Sequence, residues 1–152
     1  MNESLRSTDL SRLLPHREPA RFVRQILDCS AAEITCRGDV PPDSPYVSGG
    51  TFPAFVLLDL AAQCAAVLEV LEGMRRGAAA KPGAGYIVRA RGLETSPARQ
   101  PAGTSFHAHV RRTGQSGELH MYETTVTAGD ATVFTGSFST FVDATPGPSR
   151  EP

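Results

Sequence analysis

At 152 residues, 40% apolar and 20% charged, the chain fits one globular domain long enough to bury a core. A formal net charge of −1 leaves no basic excess for a nucleic-acid surface, and no zinc-finger, RRM or homeodomain signature is present. Three cysteines, Cys29, Cys36 and Cys64, are odd in number and lack CxxC spacing, which excludes a disulfide frame or zinc site and predicts thiols in a reducing compartment.

Residues 1–10 are polar and expected to be loose, without the apolar core and cleavage site of a signal peptide, so a cytoplasmic location is expected. Residues 22–29 and 32–40 carry Phe, Val, Ile and Thr and predict two strands, a hairpin turning at Ser30 and Ala31. Pro41, Pro42 and Pro45 then break regular structure, and Gly49 and Gly50 predict a tight turn. Residues 53–74, PAFVLLDLAAQCAAVLEVLEGM, predict a helix opening on Pro53 and closing near Gly73 and Gly77. Its apolar residues lie on every side. The run is near the length of a membrane span, but it holds Asp59, Gln63 and Glu69, and an ionised group at a bilayer centre costs about 2.5–3.5 kcal/mol. A helix enclosed by protein is the expectation, with no membrane partner.

The stretch RRGAAAKPGAG reads as a connector, and residues 86–93 as a strand. Residues 105–111, SFHAHVR, alternate with Phe106, Ala108 and Val110 on one face. A turn is predicted at 113–117, a strand at 118–127, and another at 131–142 after the turn AGD. Residues 144–152, rich in proline, read as a disordered tail, leaving one domain over 11–143. Two strands, a long helix and four strands predict an α+β fold, an antiparallel sheet around one helix.

Two segments carry a resemblance: LLPHREPARFVRQIL, residues 13–27, and FPAFVLLDLAAQ, residues 52–63. Together they resemble the FabA/FabZ-type 3-hydroxyacyl-acyl carrier protein dehydratases, most nearly the shortened dehydratase-like subunits of aryl polyene pathways. The resemblance implies the hot-dog fold and a homodimer, or a hetero-oligomer with a sister dehydratase, with acyl tunnels at the interface. It implies acyl carrier protein or coenzyme A thioesters as ligands, and no metal or redox cofactor. In the family the central helix opens on a Pro-Gly-like pair, carries an acid six positions after the proline and a glutamine four further on. Here these positions are Pro53, Ala54, Asp59 and Gln63. The implied roles are acid/base or hydroxyl anchor for Asp59, supporting hydrogen-bond partner for Gln63, and carbonyl donor for the Ala54 amide, since helix N-terminal amides lack intrahelical partners.

The departure lies in the loop before the helix. Dehydratases of this kind carry a GHFP-like motif whose histidine is the base; the corresponding SGGTFP is shorter, and Gly50 or Thr51 takes the histidine's place. His16, in LLPHR, is the candidate replacement, against the plainer reading of a hydrogen-bonded loop histidine. Asp59 likewise has a structural alternative, a buried acid bonded to Gln63 or a partner chain. His107 and His109 share a strand face without further ligands at useful spacing, and with His120 read as ordinary strand residues. Arg89, Arg91, Arg111 and Arg112 form a candidate positive rim for a carrier protein. Two alternatives to a dehydratase stay open: a hot-dog thioesterase in which Asp59 activates water, and a non-catalytic subunit that binds carrier protein or supports an active sister dehydratase.

Overall fold

The computed structural model describes residues 3–79 and 85–142. Within the opening segment two short elements form among the described residues. Glu3–Arg6 form the one-turn helix α1, and Leu10–Arg12 a 3-10 turn. The Asp9 carboxylate caps that turn by accepting from the Ser11 amide, and Leu10 is buried in the core. A local cap and the apolar anchors Leu5 and Leu10 hold these turns against the core in a segment that is otherwise mostly polar. The tail at 144–152, and residues 80–84 of the connector, lie outside the described residues.

The remaining elements are β1 Val23–Cys29, β2 Glu33–Gly38, β3 Thr51–Pro53, α2 Leu57–Arg75, β4 Gly85–Thr95, β5 Arg99–Pro101, β6 Phe106–Ser116, β7 Leu119–Ala128 and β8 Ala131–Val142. A 3-10 turn, Ala54–Val56, leads into α2. One antiparallel sheet takes the order β1-β2-β6-β7-β8-β4, and β3 pairs separately with β5. The fold is α+β with the hot-dog arrangement, a sheet curled around one long helix. The short β3–β5 pair carries too little periodicity to be read from sequence.

The strands bury alternate residues as their period of two dictates: Ile34 and Cys36 on β2, Phe106, Ala108 and Val110 on β6. Against them packs one side of α2, with Leu57, Leu60, Ala61, Cys64, Val67 and Leu68 all buried. By length and hydropathy this helix could cross a membrane; in the fold the sheet covers it instead. Gly38 permits the closest approach, because a Cβ there would stand 2.6 Å from both Leu60 Cδ1 and the Phe22 carbonyl oxygen. The turn predicted at 113–117 is displaced. β6 runs on to Ser116 through a register shift between Arg112 and Gly114, and the chain reverses at Gly117, whose φ of 60° a two-residue hairpin turn requires.

β4 ends the sheet. It pairs with β8 on one side only, and all eleven of its residues are exposed, including Tyr86 at 57% and Val88 at 56%. Phe141 of the neighbouring β8 is exposed as well. A long apolar sheet edge left unpaired is a site for another chain to add to.

Candidate active site

The LLPHR segment is fastened from both sides. Leu13 and Leu14 are buried, and Arg17 donates from Nη1 to the carbonyls of Leu14 at 2.8 Å and His16 at 3.0 Å. Gln63 holds the following stretch to α2. Its Oε1 accepts from the Phe22 amide at 2.8 Å and the Val23 amide at 3.3 Å, and its Nε2 donates to the Ala20 carbonyl at 2.8 Å. A buried amide satisfied by three backbone groups is a structural clamp. Gln63 is therefore not the hydrogen-bond partner of Asp59 that the sequence suggests, although it lines the same cavity.

That cavity has a volume of about 1020 Å³ and mainly apolar walls. Asp59, Ala62, Gln63, Ala66, Glu69, Val70 and Gly73 line it. They recur at the three- and four-residue spacing of one helix side, so α2 walls the cavity from its first turn to its last. Opposite stand His16 from the LLPHR loop, Tyr46 from the proline-rich loop, Tyr86 of β4, Tyr122 of β7 and Thr140 of β8. The small residues Ala62 and Ala66 leave the space between them open.

Asp59 lies in the first turn of α2, where the helix dipole favours a carboxylate. Its one hydrogen bond among the described residues comes from the Tyr46 hydroxyl, 3.3 Å from Oδ2. Burial raises its pKa above the ordinary value, and the Tyr46 hydrogen bond and the charge of His16 pull the other way. For His16, burial lowers the pKa and the Asp59 charge opposes it. His16 Nδ1 is itself buried without a hydrogen-bond partner. The two groups thus share one cavity and sense each other's charge, with protonation equilibria pushed toward one another. Tyr46, which packs edge-on to Phe22 at 6.3 Å, was not singled out by sequence reasoning. Its signal was weak: an aromatic in a loop of prolines and glycines.

Other expectations need correction. The Ala54 amide is already engaged, donating to the Ala98 carbonyl at 2.8 Å beside the β3–β5 pair, so it is not a free donor for a substrate carbonyl. Gly50 and Thr51 do not line the cavity of their own chain. Gly50 sits in the turn with a φ of 76°, and Thr51 Oγ1 accepts from Arg99 Nε at 2.9 Å. Arg112 does not belong to a surface rim: it is paired inward with Glu69 at 2.9 Å. Arg89 and Arg91 are exposed on β4, and Arg111 pairs with Glu123. His109 stands 3.5 Å from Glu33, His107 is exposed on β6, and His120 is a buried β7 residue beside Glu69.

Comparison with known proteins follows the same line. The chain resembles a chain of the dehydratase heterocomplex ApeI:P from Xenorhabdus doucetiae, with 19% identity, a TM-score of 0.79, and coverage of 88% of this chain and 90% of that one. It also resembles a hypothetical thioesterase with coenzyme A from Streptococcus pneumoniae, at 12% identity, a TM-score of 0.57, and 78% and 84% coverage. An uncharacterized protein, PH1136 of Pyrococcus horikoshii, matches at 13% identity and a TM-score of 0.60 over 88% of this chain and 93% of that one. At these identities the likeness shows the hot-dog fold. No curated protein matches the chain by sequence. A family model described as ApeP-like, ApeP dehydratase, matches residues 8–147, and the chain accordingly belongs to the ApeP-like dehydratase family.

Proposed function

We propose that the protein acts in the dehydration of 3-hydroxyacyl thioesters, presented on acyl carrier protein or coenzyme A, as one subunit of a pair with a sister dehydratase. The observation that carries this reading is the desolvated Asp59 carboxyl facing His16 across a long, mainly apolar cavity. In the reaction a base removes the proton from the carbon next to the thioester carbonyl. The electron pair of that C–H bond forms the new double bond, and the carbon–oxygen bond to the hydroxyl breaks. An acid protonates the departing oxygen, so that water and a 2-enoyl thioester leave. Asp59, held toward its protonated form by burial, is the acid. His16, held toward its neutral form, is the base. The apolar walls exclude water and accept the acyl chain.

The membership of the ApeP-like dehydratase family supports the reaction class. The unpaired apolar edge of β4 supports pairing with a second hot-dog subunit. Purified protein should interconvert a 3-hydroxyacyl and 2-enoyl thioester, and Asp59→Asn should abolish turnover. Thiol release in the same assay would make the protein a thioesterase instead.

A second reading, the non-catalytic partner subunit, is favoured by one observation: the Ala54 amide is tied to Ala98, which removes the expected carbonyl donor. If the isolated chain is silent in both assays while raising the activity of a co-expressed sister dehydratase, this second reading stands.

A further inference from the structure

Elimination develops negative charge on the oxygen of the thioester carbonyl, and a donor has to stand ready for it. The backbone amide expected in that role, that of Ala54, is spent on the Ala98 carbonyl. Of the tyrosine hydroxyls around the cavity, that of Tyr122 is spent on Glu69, whereas that of Tyr46 reaches the first turn of α2. Its Oη stands 3.3 Å from Asp59 Oδ2. That is long for a hydrogen bond between oxygens, so the hydroxyl is held weakly. The rest of the residue is better fastened. The Tyr46 amide donates to Oγ of the buried Ser44 at 3.3 Å, the Val47 amide donates to the Ser44 carbonyl at 3.0 Å, and the Tyr46 ring packs edge-on to Phe22. The proline-rich loop thus places the ring and leaves its hydroxyl free to change acceptor.

We propose that Tyr46 is a third catalytic residue, which donates from Oη to the thioester carbonyl oxygen while Asp59 takes the 3-hydroxyl. The inference rests on the dehydration reading of the cavity. In a 3-hydroxyacyl thioester the carbonyl and hydroxyl oxygens are joined through three carbons, and bonds of about 1.2–1.5 Å put them about 3–4 Å apart when they face the same way. Two donors whose oxygens stand 3.3 Å apart therefore meet both oxygens of one substrate. A protonated carboxyl is a poorer acceptor than a carboxylate, so the form of Asp59 that can act as the acid is also the form that releases the Tyr46 hydroxyl. The charge of Asp59 and burial push the pKa of the phenol above its ordinary value, which keeps the donor protonated. Tyr46 gives up no proton in the reaction. The charge that it stabilises flows back from the carbonyl oxygen as the new double bond forms and water leaves.

The test is infrared difference spectroscopy of decanoyl-pantetheine, isotope-labelled at the thioester carbonyl carbon, bound to the full chain. This thioester lacks the 3-hydroxyl and cannot dehydrate. Its carbonyl band should move to lower frequency on binding, return to the free position in Tyr46→Phe, and stay lowered in Asp59→Asn. In the interconversion assay Tyr46→Phe should lower kcat about 100-fold and leave KM within about twofold. A merely structural role for Tyr46 would not move the carbonyl band. A band that does not move in the unmodified protein overturns Tyr46 as the donor while the acyl cavity stands, and this measurement needs no variant to fold. A band that stays lowered in Tyr46→Phe, or that Asp59→Asn also releases, overturns it as well, because another group then holds the carbonyl. A kcat unchanged in Tyr46→Phe overturns the catalytic role. Failure of the thioester to bind overturns the cavity reading and the donor with it.

Discussion

Asp59 and Glu69 are two carboxylates on one helix, walling one cavity, and their surroundings differ in kind. Glu69 is gripped by Arg112 and Tyr122, with His120 close by. Among the described residues, Asp59 has only the half-exposed Tyr46 hydroxyl and the charge of His16. A carboxylate compensated by several donors locks elements together; one that is desolvated with a single weak donor is poised to exchange a proton. The contrast shows that a buried acid in an apolar helix has no fixed meaning. What decides it is which strands the fold brings opposite. β6 and β7 bring Arg112, His120 and Tyr122 to Glu69, whereas His16 and Tyr46, the groups that act on Asp59 among the described residues, stand on loops.

The comparison can be broken most forcefully at Glu69. Glu69→Ala leaves Arg112 partly buried without its counter-charge, and should cost about 3 kcal/mol, lowering the melting temperature by about 10 °C. Thermal denaturation beside Asp59→Ala checks it; equal losses would erase the distinction between the two acids.

At Asp59 the expected effect is smaller and of opposite sign. Because its folded pKa lies above the ordinary value of 3.8, the folded state binds more protons than the unfolded chain between 3.8 and the folded value. Stability therefore falls as pH rises through that window, and the cost persists at neutral pH. Asp59→Asn should relieve it, stabilising the protein at pH 7. The gain should vanish well below pH 3.8, where the carboxyl is protonated in both states. Denaturant titrations across pH read the difference directly, and a gain that persists in acid would point to packing rather than charge.

Tyr46→Phe sharpens the contrast most finely. Its cost in stability should be about 0.5 kcal/mol, since the hydroxyl is exposed and its hydrogen bond long. Removing a donor that favours the ionised form should raise the Asp59 pKa further. Carbon NMR titration of the Asp59 carboxyl would show the midpoint move up; an unmoved midpoint would mean that the hydrogen bond does not form in solution.

Much of the architecture was legible in the residues themselves. Alternation marked β6 through Phe106, Ala108 and Val110, and an apolar run with a proline at its head marked the long helix. These signals are local: each depends on a period that neighbouring residues share. The LLPHR and FPAFVLLDLAAQ segments carried the family resemblance, and Asp59 was conspicuous as a lone acid among apolar neighbours. What sequence could not supply was partnership. Gln63 is four residues from Asp59, yet it bonds to Ala20, Phe22 and Val23, some forty residues away in the chain. The Ala54 amide, free by its place at a helix start, is taken by Ala98 of a connection that only the fold brings near. Tyr46 meets Asp59 because the proline-rich loop folds over the first turn of α2, and His120 turns inward because the β7 register puts it on the face that covers Glu69. Hydrogen bonds and ion pairs are decided by distances of an ångström or less between groups far apart in sequence, and only the packed tertiary structure sets those distances.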